Sequence, residues 1–309
     1  MSQKIKYNNF EKGKKEARIG LDSEKELIYL INNDKDFRNL FLNCLNKLNF
    51  KFVQEIKAFK DKGVKSDILI TDGNKRLGIS MKSYSKMDFH QLDRRSLDRW
   101  KEEINMPIKI YNVLRESILR KAKNSNSKFI VDKDKKIIRE FFSKNLETII
   151  HNIFTGGESH LKLLLINDKS NKKIFIFKME DVLRFLVGDI RQKISFTQHG
   201  NIQLGRFISV QRKGGDGSHI KIPKTNWKHP GNNLQFKFKP LAFATEIEKF
   251  KRPYIGAEMR EGQRALTRVR VKEGHKVLGE HLDRFSFVNE DIIRRAVFRA
   301  LREAIHNEK

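Results

Sequence analysis

Apolar residues recur at helical spacing from Leu21 to Asn49. Leu27, Ile28, Leu30 and Ile31 begin a face that Phe37, Leu40, Phe41, Cys44, Leu45 and Leu48 continue, with a break near Asn33-Asp34. Asp22 and Ser23 are candidate N-caps, and Glu24 and Glu26 follow in the first turn. Beyond Asn49 the period changes. Phe50 to Phe59 alternates loosely and predicts a first strand. Lys65-Ser66-Asp67-Ile68-Leu69-Ile70 and Gly78-Ile79-Ser80-Met81-Lys82 predict two short strands, joined by a tight turn at Asp72-Gly73-Asn74.

From Phe89 to Glu103 the pattern returns to helix, with Leu92, Leu97 and Trp100 inward and Arg94, Arg95 and Arg99 offering cations. Residues 107–150 read as mainly helical. Leu161 to Ile166 is a nearly continuous apolar run that suits a buried strand, Lys173 to Phe177 is its hairpin partner, and Met179 to Val187 is a short helix. Strands are expected at Ile194–Thr197, Phe207–Gln211, His219–Ile222 and Leu234–Phe238. An amphipathic helix is expected over Glu290–Glu308, on Ile292, Ile293, Val297, Leu301 and Ile305.

Charge narrows the partner. There are 65 Lys and Arg against 38 Asp and Glu, a net charge of +27, which favours a polyanion. A membrane fits less well than nucleic acid. No stretch approaches 18 apolar residues, and Met1 to Lys15 is polar and basic without an apolar signal core. The single cysteine, Cys44, can form neither an internal disulfide nor a cysteine-based zinc site; it reads as a small buried hydrophobe in an intracellular, cytoplasmic protein. No histidine falls in His-x-x-x-His or Cys-His zinc spacing, although His151 and His160 flank a Gly-Gly turn. No Gly-rich loop ends in Lys-Ser/Thr, which argues against ATP-driven chemistry.

The chemistry-bearing residues lie on the Asp67 and Lys82 strands. Asp67 opens one and Lys82 closes the other, and strand alternation turns Ser80 to the same face as Lys82. Phosphodiester hydrolysis needs a carboxylate-bound divalent cation and a positive charge near the nucleophile or the scissile phosphate. At these residues the chain resembles the PD-(D/E)XK nuclease superfamily, and within it the type II restriction endonucleases. That pattern is an Asp, a spacer of roughly ten to thirty residues, then Glu-x-Lys on the adjacent strand. Asp67 matches the Asp and Lys82 the Lys; Ser80 stands where Glu is most common, a departure that removes one hard oxygen ligand. The resemblance covers residues 20–105 well and the rest of the chain only loosely.

The resemblance implies an α/β (mixed α+β) fold: a restriction-endonuclease-like core over 21–190, with a mixed central sheet flanked by helices. It implies Mg2+ held by Asp67 and Glu24, the latter on the first helix in place of the missing strand acid, with Glu26 in reserve. Ser80 would be auxiliary, and Lys82 would activate or position the water. For Glu24 the alternative is plain helix-dipole stabilisation. Gln91 would face the active site from the next helix, and Arg94 and Arg95 would pair with phosphates.

A second stretch, Gln211-Arg212-Lys213-Gly214-Gly215-Asp216-Gly217, and a third, Asn232 to Lys239, resemble segments from the C-terminal half of some restriction endonucleases. They imply a β-rich basic DNA-recognition region over 191–309 with a C-terminal helix, preceded at the other end of the chain by a flexible basic arm at 1–20. Gln211, Arg212, Lys213, Gln235 and Lys237 are its candidate DNA contacts, since Gln suits adenine and Arg or Lys guanine. Lys249 to Lys276, with Arg252, Arg260, Arg264, Arg268, Arg270 and Lys272, reads as a backbone-binding surface. The expected activity is site-specific cleavage of double-stranded DNA by a homodimer, with a DNA methyltransferase as genetic partner. A repair nuclease of the same fold and an inactive nucleic-acid-binding protein are the alternatives.

Overall fold

The computed structural model describes residues 20–249, apart from 64, 171–172, 191–192 and 215–219. The expected basic arm up to residue 19, the basic surface beyond Lys249 and the Glu290–Glu308 helix lie outside the described residues. The described chain forms two compact units that interleave along the sequence. One takes residues 20–87, 158–182 and 244–249, the other 88–157 and 183–243, so the expected core of residues 21–190 contributes to both. No described helix is long and apolar enough to cross a membrane.

The first unit holds helix α1 (residues 20–33) and α2 (Lys35–Lys47). The predicted break is a cap: Asp34 accepts from the Phe37 amide at 2.9 Å and starts α2. The strands β1 (Lys57–Lys60), β2 (Ile68–Thr71), β3 (Arg76–Tyr84), β5 (Leu161–Asp168) and β6 (Lys173–Lys178) form a sheet in the order β1-β2-β3-β5-β6. All its pairings are antiparallel except β3 with β5, which is parallel, so the sheet is mixed. Phe41, Cys44, Leu45 and Leu48 of the α2 region pack with Ile68, Ile70, Ile79, Leu163, Leu165 and Ile176 of the sheet. Each such fully buried side chain contributes roughly 1.5–3 kcal/mol of transfer free energy. Cys44 is buried here, as its pattern predicts.

The β2–β3 turn forms as read. Asp72 Oδ1 accepts from the amides of Asn74 and Lys75 at 3.1 and 2.8 Å, and Gly73 takes φ +93°, where a side chain would be strained. Only Lys57–Lys60 of the expected Phe50–Phe59 strand is extended in a ladder. At the sheet edge, the Asn32 side chain both donates to Ala58 O at 2.9 Å and accepts from Ala58 N at 2.8 Å, covering polar groups that would invite another strand.

The second unit holds β4 (His90–Arg95), α3 (Leu97–Glu103), α4 (Ile108–Lys123), α5 (Lys135–Lys144) and α6 (Leu146–Thr155). The chain enters it again within α7 (Met179–Ile190) and adds β7 (Ile194–Phe196), β8 (Ile202–Leu204), β9 (Ile208–Arg212) and β10 (Leu234–Phe238), before α8 (Pro240–Lys249). Its sheet is antiparallel in the order β4-β10-β9-β8-β7. Trp100 packs on Phe236 at 5.0 Å, and Phe243 meets Phe185, Phe207 and Phe238 at 5.6, 5.7 and 5.3 Å between ring centroids.

Here the structure corrects three expectations. The predicted Phe89–Glu103 helix is a strand followed by a shorter helix: His90–Arg95 pairs with β10, and Ser96 caps α3 by accepting from the Arg99 amide at 3.2 Å. Tertiary pairing overrides the local period, because Asp93 and Arg95 are drawn into the interior. Residues 220–222 form no strand and are exposed or half-exposed; His219 lies outside the described residues. Strand β8, three residues long, was not foreseen.

Candidate active site

Asp67 lies one residue before β2, where its amide donates to Ile79 O of β3 at 2.8 Å. Its carboxylate turns to the same strand: Oδ2 accepts from the Met81 amide at 2.6 Å, and from Ser80 Oγ and Lys82 Nζ at 3.4 Å each. Lys82 Nζ also donates to Ser80 Oγ at 2.9 Å and to Met81 O at 3.0 Å. The hairpin register explains this. Ile68 faces Ile79, so the residue before Ile68 comes level with Ser80. Ser80 is buried, while the side chains of Asp67 and Lys82 keep 28% and 18% of their exposure, enough for a ligand to reach them.

Glu24 joins this group from α1. Burial raises its pKa first, and the negative charge of Asp67 raises it further; Lys60 and Lys82 pull the other way. Lys60 Nζ lies 3.4 Å from Glu24 Oε2. Asp22 and Ser23, expected as caps, lie inside α1 instead. Ser83 Oγ donates to Ser23 Oγ at 3.0 Å, which ties the start of α1 to the end of β3 and carries Glu24 toward Asp67. Sequence reasoning missed Lys60 and Ser83 and gave Ser23 only a capping role; the Ser23–Ser83 contact appears only once α1 and β3 are adjacent.

The donor set suits Mg2+. Two carboxylates and a hydroxyl are hard oxygen donors, and Mg2+ is held by one or two carboxylates while keeping water and substrate oxygens. Among the described residues no group of three His, Cys, Asp or Glu gathers, so no complete protein cage forms. The mutual repulsion that raises Glu24 is what a divalent cation between the two acids would relieve.

The second unit collects most of the candidate DNA contacts on one sheet face. Leu234, Phe236 and Phe238 bury one face of β10, and alternation puts Gln235 and Lys237 on the other. Gln235 stands opposite Arg94 of β4 and Gln211 of β9, and Lys237 opposite Gln91. An amide ladder crosses the strands. Gln235 Nε2 donates to Gln91 Oε1 at 2.9 Å, Gln211 Nε2 to Gln235 Oε1 at 3.4 Å, and Asn201 Nδ2 to Gln211 Oε1 at 3.4 Å. Asn201 is a member the sequence did not single out. Burial lowers the pKa of Lys213 and Lys237; the positive charges of Arg94 and Lys237 lower Lys213 further. Arg212 Nε donates to Asn232 Oδ1 at 2.8 Å.

Arg95 sits elsewhere. Its guanidinium is buried, hydrogen-bonded to Asp93 Oδ1 at 3.0 and 3.1 Å, to Glu103, and to both the side chain and the backbone of Asn152, and it lies 4.7 Å from the Trp100 ring centre. The residue expected to hold a phosphate instead serves the unit's own interior.

No protein-family model matches this sequence, and a comparison with curated proteins finds no relative. Among solved structures, the chain is similar to the restriction endonuclease MspI in complex with its cognate DNA, with a TM-score of 0.50 at 17% identity over 74% of this chain and 92% of that one. HhaI endonuclease in complex with DNA aligns over 71% of this chain and 98% of that one at 13% identity, but its TM-score of 0.23 adds nothing to the assignment. At such identity the first likeness speaks to architecture alone: the chain has a mixed α+β, restriction-endonuclease-like fold.

Proposed function

We propose that this protein is a type II restriction endonuclease, hydrolysing phosphodiester bonds in double-stranded DNA at a short specific sequence with Mg2+. The observation that carries the reading is the Asp67–Ser80–Lys82 cluster, three side chains within 3.4 Å on neighbouring strands, with Glu24 in the field of Asp67. In this reading the chain is a Ser-x-Lys variant of the PD-(D/E)XK superfamily. Asp67 and Glu24 hold the ion, and Glu24 supplies from the helix the carboxylate that Ser80 does not. When bound, Mg2+ supplies Lewis-acid stabilisation of the charge developing at the scissile phosphate.

Lys82 then has its ammonium beside the acids, placed by Ser80 Oγ and Met81 O to position the attacking water or to stabilise the phosphorane. Gln91, Gln211 and Gln235 are proposed to meet bases, and Arg94, Arg212, Lys213 and Lys237 to meet bases or phosphates. The excess of 65 basic over 38 acidic residues supplies salt-sensitive affinity. A homodimer is the simplest way to cut both strands of a palindrome. Restriction activity would place the protein in the cytoplasm, beside a DNA methyltransferase of the same system.

Binding and cutting are separable, and that supplies the test. Asp67→Ala and Lys82→Ala should each lower Mg2+-dependent cleavage by roughly 10^2-fold or more, while duplex binding stays within a few-fold of the parent. Undiminished cutting by Asp67→Ala would defeat the assignment. An inactive binding protein would instead show no cutting by any form.

A further inference from the structure

The stretch leading into Asp67 is held more tightly than a surface loop requires. Glu158, just before β5, accepts from the amides of Lys65 and Ser66 through one oxygen, Oε2, at 3.2 and 2.8 Å. The next amide, that of Asp67, donates to Ile79 O at 2.8 Å. Three successive N–H groups are thus engaged, two by a single carboxylate and the third by the strand that carries Ser80 and Lys82. A second tie lies beside the first. Asp61 N donates to Asp67 O at 3.1 Å, and Asp61 Oδ2 sits 2.8 Å from His160 Nε2. Burial alone would raise the Asp61 carboxyl; hydrogen bonds with His160 and Ser66 and the His160 charge hold it below the ordinary 3.8 instead.

Packing leaves no slack. A Cβ on Gly63 would come 2.6 Å from Glu158 Oε1, and one on Gly78 would come 2.6 Å from Ser66 Oγ and 2.9 Å from His160 Cδ2. Gly78 N in turn donates to His160 O at 2.8 Å. Both ties anchor on the same turn, residues 158–160, which feeds β5, the parallel neighbour of β3.

We infer that Glu158 is a positioning residue for Asp67: its carboxylate, seconded by the Asp61–His160 pair, fixes the backbone that presents Asp67 to Ser80, Lys82 and a divalent cation. It acts through the amides of residues 65 and 66. The inference rests on the proposed role of Asp67 as a metal ligand, and on the nuclease reading for the use to which the cation is put.

The test compares the parent protein with Glu158→Ala, Glu158→Gln and Gly63→Ala. Three quantities are read: amide hydrogen exchange at residues 65–67, Mn2+ affinity from the free-ion electron paramagnetic resonance signal, and the Mg2+ dependence of DNA cleavage. Glu158→Ala should speed exchange at Lys65 and Ser66 and weaken Mn2+ by roughly 10–100-fold, the range for partners that orient metal ligands. The Mg2+ needed for half-maximal cleavage should rise by a similar factor, with a smaller loss of rate at saturation. Glu158→Gln should recover most of the affinity, because its carbonyl oxygen can accept from the same two amides. Gly63→Ala displaces the Glu158 carboxylate without deleting it and should weaken Mn2+ in the same direction, so it decides the matter if Glu158→Ala does not fold. Unchanged Mn2+ affinity in the face of faster exchange would overturn the inference, as would Glu158→Gln being as impaired as Glu158→Ala. If the parent binds Mn2+ but cuts no DNA, the nuclease reading fails, and the shift in Mn2+ affinity still upholds the positioning role.

Discussion

Replacing Arg95 with alanine distinguishes the interior of the second unit from the face proposed to meet DNA. The Arg95 and Asp93 side chains keep only 6% and 4% of their exposure, and the guanidinium donates twice to Asp93 Oδ1. Alanine would leave that carboxylate buried without these donors. Breaking a buried pair from one side costs about 3–5 kcal/mol. Glu103 suffers less, since Arg99 Nε still donates to it at 2.7 Å and its side chain is 21% exposed. Losing the contact with the Trp100 face adds about 0.5–2 kcal/mol. The expected destabilisation is therefore about 3.5–7 kcal/mol, on the order of a third or more of a typical domain's stability. Urea unfolding followed by Trp fluorescence reads it directly. The neighbouring Arg94→Ala, at an exposed position, should leave the urea midpoint nearly unchanged. It should instead lower the salt dependence of DNA binding by about one counterion. If Arg95→Ala unfolds at the parent's urea concentration and loses DNA affinity instead, the register of β4 against β10 is wrong and Arg95 belongs on the binding face.

Four further outcomes follow. Glu24 is held above its ordinary pKa by burial and by Asp67, so carrying its charge costs the metal-free fold stability that a neutral side chain would keep. Glu24→Gln should therefore raise the metal-free urea midpoint at pH 7 while abolishing the stabilisation by Mn2+; an unchanged Mn2+ response would remove Glu24 from the site. The same raised pKa makes protons compete with the cation, so at sub-saturating Mg2+ cleavage should fall as pH drops through a value above the ordinary 4.5, and added Mg2+ should move that limb of the cleavage–pH profile to lower pH. Asp72 is depressed from 3.8 to about 2 by amides of Lys75, Val53 and Asn74. Its contribution to stability is present above pH 3.8 and lost as pH falls toward 2, so the difference in stability between the parent and Asp72→Asn should shrink across that window in acid titrations followed by circular dichroism. Asn32→Leu should uncover the Ala58 edge and increase concentration-dependent association, measured by light scattering; a variant as monodisperse as the parent would show that the edge needs no cover.

Much of the first unit was legible because its signals are local. The Asp72-Gly73-Asn74 turn fixes the hairpin, the hairpin fixes the register, and the register brings Asp67 level with Ser80. Glu24 could be proposed from its place on the first helix, but its approach to Asp67 depends on the Ser23–Ser83 contact, which joins residues sixty positions apart. The β4 strand was misread for a related reason. His90-Gln91-Leu92-Asp93-Arg94-Arg95 carries little strand propensity, and only pairing with a segment some 140 residues later draws it into a sheet. Pairing of β10 with β4 and β9 joins three distant glutamines into a ladder, and it buries Arg95, a candidate phosphate contact, in the interior. The amphipathic reading of Leu97 and Trp100 survived because α3 does bury them.

Whether the Asp67 cluster cuts DNA at defined sites is decided by incubating the purified protein with unmethylated phage DNA, with Mg2+ or with EDTA, beside Asp67→Ala, and sizing the products. Discrete fragments from the parent alone, and only with Mg2+, are the predicted result. A smear would contradict sequence specificity, and intact DNA in every lane, with salt-sensitive binding retained, would contradict catalysis itself.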